Sequence, residues 1–202
     1  MRIRNIYKNL GKVNSFLRED PFLRKYFVHW ICSLINFPFT RKYPWLTYGA
    51  ISWLKKNVQE DWNILEFGSG SSTVFFAKHC QFVTSFEHDN SWRELVLQQL
   101  GQKGFINVKI LPYSAVYQDE YLYFKDPKVN LILLDGIDRE ITFRYSFPLL
   151  STGSFLILDN AERSDYSNIH LAMEKYPSCT FSGVSPYNMK ITTTKIWRIE
   201  NT

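Results

Sequence analysis

The sequence predicts an α/β fold with a mostly parallel sheet, a helical layer at the N-terminus and an antiparallel hairpin at the C-terminus. From Asn63 onward, short β-rich runs alternate with helical segments of about 10 to 15 residues, the pattern of parallel βαβ units. A glycine-rich turn joins the first strand of this region to the helix that follows. Leu131–Leu134 and Phe155–Leu158 are continuously apolar, which is typical of strands that are covered on both faces.

The first 60 residues predict three helices. From Ile3 to Leu17, apolar residues recur at three- and four-residue steps with basic residues between them, which predicts an amphipathic basic helix that ends before Pro21. A second, largely apolar helix is predicted over residues 22–36 and a third over residues 47–58, since prolines break the chain between them. We expect residues 1–60 to form a helical cap within the same domain as residues 61–202.

The rest of the chain predicts seven strands and three helices. The strands are expected at residues 63–67, 82–87, 108–111, 129–135, 154–159, 180–184 and 191–199, and the helices at 71–80, 91–100 and 166–176. Ser91 is the expected N-cap of the second of these helices, with Glu94 completing a capping box. The short connection at residues 185–190 predicts that the last two strands form an antiparallel hairpin.

Composition favours one soluble globular domain in a reducing cytoplasm. The 202 residues are 45% hydrophobic and 21% charged, which excludes a disordered or low-complexity chain. The three cysteines show no Cys-x-x-Cys spacing, so neither a disulfide framework nor a zinc site is expected. Residues 27–39, the longest apolar stretch, are too short to span a bilayer, and the N-terminus lacks the apolar core of a secretory signal.

The positive charge of the chain is concentrated near its N-terminus. Residues 1–60 hold eleven Lys and Arg side chains and three acidic ones, whereas residues 61–202 carry a net charge of −3. The negative body of the protein argues against a nucleic-acid partner. For the basic helix we consider a lid over the active site or a homodimer contact, a peripheral membrane contact through residues 1–20, and an acidic partner.

The strongest local signal is the segment from Glu66 to Thr73, which contains Gly68 and Gly70. Glycines between a strand and a helix let the backbone approach a ligand, and the helix presents free N–H groups. Glu87 ends the second strand 19 residues after Gly68, where a carboxylate can accept both hydroxyls of a ribose. A tight structural turn and a surface ion pair are the alternatives for the two features taken separately.

Four motifs, in this order and spacing, resemble those of class I S-adenosylmethionine (SAM)-dependent methyltransferases. They are Glu66-Phe-Gly68-Ser-Gly70, Phe86-Glu87-His88-Asp89, Leu133-Leu134-Asp135-Gly136, and Pro148 to Gly153 followed by Asp159-Asn160. The resemblance covers about residues 45 to 200 and includes the C-terminal hairpin. It implies a Rossmann-like seven-stranded methyltransferase sheet, and it is closest to bacterial small-molecule O-methyltransferases, with a distant similarity to catechol O-methyltransferase.

The resemblance also implies which residues bind the cofactor SAM. The glycine loop would bind its methionine part, Glu87 its ribose, and residues near Tyr113 and Ser114 its adenine, although Ser114 departs from the acidic residue common at that position. Tyr48 is implied to lie near the cofactor. The full predicted cofactor set is Glu66, Gly68, Ser69, Gly70, Ser71, Ser72, Thr73, Glu87, His88, Ser114, Asp135 and Tyr48.

Polar side chains at the ends of the fourth and fifth strands are the predicted catalytic groups. Asp135, Asp159 and Asn160 offer hard oxygen ligands, and the triplet is similar to the Mg²⁺ site of the catechol type. The lysine base of that type has no match, so a metal-free pocket is the alternative. We name Asp135, Asp159, Arg139 and His88 as catalytic candidates, with Arg139 able to bind an anionic substrate.

The function expected from these features is O-methylation of a small hydroxylated metabolite, such as a sugar or glycan precursor. A nicotinamide oxidoreductase is disfavoured because Thr73 replaces the third glycine of its fingerprint and the chain is too short for a catalytic domain. A non-catalytic module that keeps the fold, with the basic helix as its working part, is the alternative.

Overall fold

The computed structural model describes residues 10–35, 43–113 and 128–201, and within them it confirms the predicted α/β class. The strands are Asn63–Phe67 (β1), Phe82–Glu87 (β2), Val108–Pro112 (β3), Val129–Leu134 (β4), Leu150–Leu158 (β5), Ser178–Gly183 (β6) and Thr192–Arg198 (β7). They form a seven-stranded sheet in the order β3-β2-β1-β4-β5-β7-β6. Each predicted strand is therefore present.

Helices precede the sheet and connect its strands. In the described ranges they are Leu10–Glu19 (α1), Leu23–Ile35 (α2), Tyr48–Asn57 (α3), Ser71–His79 (α4), Asn90–Gln102 (α5), Arg139–Ser146 (α6) and Ser167–Ala172 (α7). The predicted second and third helices are confirmed, whereas residues 1–9 of the predicted first helix lie outside the described residues. None of these helices is long and apolar enough to cross a membrane.

The strand pairing places the carboxyl ends of five parallel strands at one edge of the sheet. β1 runs parallel to β2 and β4, and β3 and β5 extend the parallel part on either side. β7 is antiparallel to both β5 and β6, so the predicted hairpin is confirmed, with Gly183 opposite Thr192. Because ligands of open α/β sheets bind beyond the carboxyl ends of the parallel strands, this edge is where a site is expected.

Alternate residues of β4 face two different cores. Leu131 and Leu133 face a core that also contains Trp30 and Ile51, so α2 and α3 cover this side of the sheet. Ile132 and Leu134 face the opposite core, which is shared by β5, α7 and β7 through Leu156, Leu158, Ile169 and Trp197. Burial on both faces explains why these strands are continuously apolar in the sequence.

The described N-terminal helices belong to the first of these cores. Val13 and Phe16 of α1 and Trp30 of α2 are buried among residues of the sheet. The aromatic ring of Phe16 meets that of Trp30 edge-on, with 5.8 Å between the ring centroids. The apolar stripe of the basic helix therefore packs on the domain itself at Val13 and Phe16.

The start of α5 differs from the prediction. The helix begins at Asn90, and its N-cap is Asp89, whose carboxylate accepts a hydrogen bond from the Trp92 amide at 3.0 Å. The predicted cap at Ser91 is wrong. The turn is fixed earlier in the chain because Glu87 Oε1 accepts the N–H of Asp89 at 3.0 Å, and this sets Asp89 at the capping position.

Three further elements depart from the sequence reading. The helix α6 was not predicted. β5 starts four residues before its predicted first residue, because Leu150 already pairs with Val129 across an irregularity in the register. The predicted helix at 166–176 is reduced to α7 and a preceding 3₁₀ turn at Ser164–Tyr166. Such short helices carry too few turns for periodicity to identify them.

Candidate active site

The turn after β1 lies directly against the turn after β4. Gly68 has a φ of +95°, and a Cβ atom on it would lie 2.7 Å from the backbone nitrogen of Gly136. A Cβ on Gly136 would in turn lie 3.0 Å from the nitrogen of Gly68. Glycine is therefore required at both positions, since any side chain would push the two turns apart. The contact brings Asp135, at the end of β4, beside the glycine-rich turn.

Glu66 lies beneath this turn and braces it. The hydroxyl of Thr73 donates to Glu66 Oε2 at 2.5 Å and accepts the N–H of Gly70 at 2.8 Å. Burial raises the pKa of Glu66 to about 7, although the hydroxyls of Ser72, Thr73 and Ser85 oppose the shift. Thr73, which stands where a dinucleotide fingerprint has its third glycine, supplies the hydroxyl that ties the loop to β1.

Glu87 is held at the end of β2 by the glycine-rich turn. Its Oε2 accepts hydrogen bonds from the amide of Ser69 at 2.8 Å and from the Ser69 hydroxyl at 3.1 Å. Its Oε1 lies 2.9 Å from Nδ1 of His88, whose side chain is 46% exposed. The Glu87 side chain itself is only 4% exposed, so it is a preorganised acceptor at the edge of the sheet.

Arg139 joins the ends of β4 and β5. Its Nη2 donates to the carbonyl of Asp135 at 2.9 Å, to Asp135 Oδ1 at 3.1 Å and to Asn160 Oδ1 at 3.4 Å. Nη1 donates to the carbonyl of Asp159, and Nε donates to the carbonyl of Gly136 at 2.9 Å. With a side chain only 6% exposed, Arg139 is a buried cation held by five acceptors.

Asp135 and Asp159 differ in their access to solvent and in their partners. The side chain of Asp135 is 23% exposed, whereas Asp159 is buried and its Oδ1 accepts a hydrogen bond from the Thr194 hydroxyl at 2.7 Å. Burial and the neighbouring Asp159 raise the pKa of Asp135 against the effect of Arg139. Burial likewise raises the pKa of Asp159 to about 6, opposed by the Thr194 hydroxyl and by Arg139.

The predicted divalent-metal ligands Asp135, Asp159 and Asn160 lie around Arg139. Its guanidinium donates to side-chain oxygens of Asp135 and Asn160, but to the backbone carbonyl of Asp159 and not to its carboxylate. Among the residues that the structure describes, no cluster of three or more His, Cys, Asp or Glu side chains could hold a metal ion. The predicted set of two carboxylates and one amide is not such a cluster, so a divalent ion at these residues stays a prediction, and the positive charge present among their oxygens is that of the buried Arg139.

A cleft of about 860 Å³ runs along this edge of the sheet. One half is lined by the glycine-rich turn and the end of β2, with Gly68, Ser69, Glu87 and Trp92 among the residues. We call it the cofactor half, because it contains Glu87, the predicted ligand of the ribose. Asp135, Gly136, Asp159 and Asn160 line its middle. The other half is lined by Trp45, Glu162, Arg163 and the loop between β6 and β7, with Ser185, Tyr187, Asn188 and Lys190. A cleft of this size can hold a cofactor and a second ligand together.

Solved structures share this architecture at low sequence identity. The match to cofactor-bound Rv0187 from MTB covers 94% of this chain and 97% of the Rv0187 chain, with a TM-score of 0.62 and 16% identity. An rRNA methylase from Streptococcus thermophilus covers 76% and 96%, with a TM-score of 0.59 and 13% identity. The O-methyltransferase TomG from Streptomyces achromogenes, solved in complex with SAM, covers 69% and 73%, with a TM-score of 0.55 and 15% identity. The chain has the fold of the class I SAM-dependent methyltransferases. No protein-family model and no curated protein matches its sequence.

The methyltransferase fold brings only part of the predicted cofactor set to the cleft. Gly68, Ser69, Glu87, His88 and Asp135 line it. The other predicted residues of the loop and the first turn of α4 are buried behind the cleft surface, namely Glu66, Gly70, Ser71, Ser72 and Thr73. Ser114 lies outside the described residues, so its predicted contact with adenine stays a prediction.

The predicted nearness of Tyr48 to the cofactor stays a prediction. Tyr48 is fully buried at the start of α3, its ring stacks on that of Tyr26 with 4.9 Å between centroids, and its hydroxyl lies 2.9 Å from Nδ1 of His29. It is absent from the lining of the methyltransferase cleft, where Trp45, three residues earlier, contributes instead. The catalytic candidate His88 lies at the cofactor half, where its ring contacts Glu87. It is not part of the group formed by Asp135 and Arg139.

Sequence reasoning missed several residues of the cleft. Trp92 lines the cofactor half, and its indole N–H donates to the carbonyl of Ser69 at 2.8 Å. An aromatic residue in the first turn of the helix after β2 was a usable signal, because that turn points to the same edge as Glu87. Tyr187, Asn188 and Lys190 carried no signal, since their loop reaches the cleft only when the hairpin is added to the sheet.

Proposed function

We propose that the protein is a SAM-dependent methyltransferase that methylates a hydroxyl group of a small-molecule acceptor. The observation that carries the proposal is the buried Glu87 carboxylate, which lines the cleft and is held by both the amide and the hydroxyl of Ser69. A fixed carboxylate at the end of the second strand, beside a glycine turn, suits the two hydroxyls of a ribose. The shared fold of the solved methyltransferases supports the same assignment.

The residues at one half of the cleft fit the parts of this cofactor. Gly68 lines the cleft with backbone atoms alone, the Glu87 carboxylate can accept hydrogen bonds from hydroxyl groups, and Trp92 offers an aromatic face for a base. When bound, SAM supplies an electrophilic methyl group on a sulfonium sulfur. The middle of the cleft, at Asp135, is then where an acceptor hydroxyl has to lie.

Asp135 is the residue that we assign as general base. In-line displacement at a methyl group requires that the acceptor oxygen be oriented and that its proton be removed. Asp135 lines the cleft, and its raised pKa makes it a stronger base than an ordinary carboxylate. Arg139 holds Asp135 Oδ1, which fixes the side chain and stabilises its charge. Asp159 is less suited because its carboxylate is buried against Thr194.

Calorimetric titration with SAM and its demethylated product tests the cofactor half. Glu87→Ala should weaken binding by about 1 to 3 kcal/mol, the scale of hydrogen bonds to a charged group. Glu94→Ala, which removes a glutamate that is 68% exposed on α5, is the matched control and should bind normally. Unchanged affinity in Glu87→Ala would contradict the assignment.

Methyl transfer from labelled SAM to a panel of hydroxylated metabolites tests the reaction. Asp135→Asn should abolish transfer and leave cofactor affinity nearly unchanged, because it removes a base but keeps the side-chain volume. Cofactor binding with no transfer to hydroxyl, amine or thiol acceptors would favour the non-catalytic alternative.

A further inference from the structure

The loop between β6 and β7 forms one wall of the cleft, opposite the cofactor half. Tyr187 of this loop and Trp45, before α3, meet edge-on with 5.6 Å between their ring centroids and an interplanar angle of 79°. Both line the cleft, and Trp45 is 43% exposed. Two rings that are nearly perpendicular form an apolar corner, in which the exposed tryptophan offers aromatic surface to a ligand ring. We call this pair the aromatic wall.

The helix α2 holds the loop in place. The indole N–H of Trp30 donates to the carbonyl of Asn188 at 2.8 Å. The hydroxyl of Ser33 accepts the N–H of Tyr187 at 2.9 Å and donates to the carbonyl of Trp30 at 2.7 Å. Trp30 and Ser33 are both fully buried. The N-terminal helical layer therefore reaches the cleft through two buried side chains.

Tyr187 needs such a restraint because of its backbone conformation. Its φ of +66° lies in the left-handed region, which is unfavourable for a residue with a Cβ atom. A strained residue keeps this conformation only when its surroundings fix it. The hydrogen bond from the Tyr187 amide to Ser33 is such a fixation, so the position of the aromatic wall depends on α2.

The same half of the cleft carries excess positive charge. Arg163 and Lys190 line it, and among the described residues neither has a carboxylate oxygen within 4.0 Å. Glu162 is the acidic residue beside them, and one of its oxygens already accepts the N–H of Thr193 at 2.8 Å. An anionic group on a ligand would find two cations here that are not neutralised.

We propose that the acceptor is a hydroxylated ring compound that carries an anionic group. The aromatic wall holds the ring, Arg163 and Lys190 bind the anionic group, and Trp30 and Ser33 act as positioning residues for Tyr187. This proposal rests on the proposed function, because it assigns the half of the cleft that the cofactor leaves free. An aryl acid and a sugar acid both carry a hydroxylated ring and an anionic group.

Two matched pairs of probes test the ligand class and distinguish its sources. The full chain, saturated with the demethylated cofactor, is titrated by ligand-observed NMR with 3,4-dihydroxybenzoate and catechol, and with glucuronate and glucose. The anionic member of at least one pair should bind about tenfold or more tightly than its neutral partner, a difference of about 1.4 kcal/mol. The pair that shows this identifies the ring as aryl or sugar.

Variants of the cations and of the wall locate the binding. Arg163→Gln with Lys190→Gln should remove the preference for the anionic probe, and Trp45→Ala should weaken both members of the pair. Lys128→Gln with Lys175→Gln, two lysines absent from the cleft lining, is the control for a change in net charge. A preference that survives the Arg163 and Lys190 variant overturns the charge assignment.

The positioning role is tested with Ser33→Ala. Loss of one hydrogen bond should weaken the anionic probe about three- to tenfold and leave the affinity for the demethylated cofactor unchanged. Ser33→Thr, which keeps the hydroxyl, should retain probe binding. Ser146→Ala is the control, since Ser146 is equally buried but its hydroxyl makes no hydrogen bond within the described residues.

The outcomes separate this proposal from the proposed function. Normal cofactor binding with no binding of any probe, or with equal binding of charged and neutral probes, overturns the ligand class alone. Equal effects of Ser33→Ala on probe and cofactor would show a general loss of structure and overturn the positioning role. Failure of the cofactor itself to bind would contradict the proposed function.

Discussion

Gly68 meets two constraints that a residue with a side chain cannot meet together. Its φ is +95°, and a Cβ would lie 2.7 Å from the backbone of Gly136. We expect Gly68→Ala to lower the free energy of unfolding by at least about 2 kcal/mol, from backbone strain and overpacking. Because the two turns also shape the cleft, SAM affinity should fall in calorimetry.

The matched control for this prediction is Gly101→Ala. Gly101 lies in α5, and nothing stands within 4 Å of the position of its Cβ. Replacing a glycine by alanine in a helix stabilises by up to about 1 kcal/mol, so this variant should be as stable as the wild type or more stable. Equal losses in the two variants, measured by urea unfolding, would mean that the Gly68 turn is not constrained as described.

Glu66 should make stability depend on pH in an unusual direction. Its pKa is about 7 in the folded protein against an ordinary value of 4.5, so between these values the folded state binds the proton more tightly than the unfolded chain. Stability of the wild type should therefore fall as the pH rises from 4.5 to 7, by at most about 3 kcal/mol from this group. Glu66→Gln, which cannot ionise, lacks this loss.

The measurement compares urea unfolding of the wild type and Glu66→Gln at pH 4.5 and pH 8. The stability difference should shift in favour of the glutamine variant at the higher pH. A difference that does not change with pH, or that shifts toward the wild type, would show that Glu66 is ionised in the folded protein without penalty.

Arg139 predicts a reaction that needs no divalent cation. Its guanidinium binds oxygens of Asp135, Asp159 and Asn160. We therefore expect that Mg²⁺ does not raise the melting temperature of the wild type, and that methyl transfer continues in excess chelator. Arg139→Met leaves the Asp135 carboxylate without its ion-pair partner and should cost about 3 to 5 kcal/mol of stability.

Millimolar Mg²⁺ should raise the melting temperature of Arg139→Met, because the variant frees the side-chain oxygens of Asp135 and Asn160 for a metal. Thermal unfolding with and without the ion measures this in both proteins. Stabilisation of the wild type by Mg²⁺ would contradict this expectation and support the predicted metal site.

At the scale of elements, Asp20 links α2 to the end of β6. Its carboxylate is buried and accepts N–H groups from Phe22 and Leu23 at the start of α2, and from Val184 after β6 at 3.1 Å. A Cβ on Gly183 would lie 2.2 Å from Asp20 Oδ2. The hairpin can pack on α2 in this way only because residue 183 is glycine.

A double-mutant cycle tests this link. Asp20→Ala and Gly183→Ala should each lower the free energy of unfolding by about 1 to 3 kcal/mol, through lost hydrogen bonds in one case and overpacking in the other. In the Asp20→Ala background, Gly183→Ala should cost little, since the three nearest atoms to its Cβ belong to Asp20. Additive losses would show that the two residues do not interact.

At the scale of the whole molecule, the helical layer and the sheet form one folding unit. Trp30 and Ile51 are fully buried in the same core as Ile64, Leu131 and Ile196. We expect a fragment of residues 61–202 not to fold alone, because its sheet would expose that core. Circular dichroism and urea titration of the fragment measure this, and a cooperative unfolding transition would contradict it.

The partners of the basic N-terminal helix stay predictions. Val13 and Phe16 of α1 are used to pack on the domain, so a membrane contact through residues 1–20 would depend on residues outside this apolar stripe. Lys12 and Arg18 belong to the same helix as these buried residues. Sedimentation with anionic vesicles and the oligomeric state in solution decide between membrane, dimer and neither.

The order of elements could be predicted from the sequence because it depends on neighbours in the chain. Because β4 is buried on both faces, its residues are continuously apolar in the sequence. Because the turn between β1 and α4 needs a positive φ, position 68 is a glycine. The position of Glu87 at the end of β2 could be predicted for the same reason, because one βαβ unit separates it from Gly68 along the chain. The cap of α5 was wrongly predicted at Ser91, because the turn after β2 places Asp89 at the capping position.

Partners that are distant in the chain were decided by the tertiary structure alone. The sequence offers Asp135, Asp159 and Asn160 as metal ligands, but it does not say that Arg139 reaches all three. Nor does it say that Ser33 meets the amide of Tyr187, 154 residues later. The residue types fix which bonds are chemically available, whereas the packing of helices on the sheet fixes which of them form, because a buried polar group bonds to whatever the fold brings within about 3 Å.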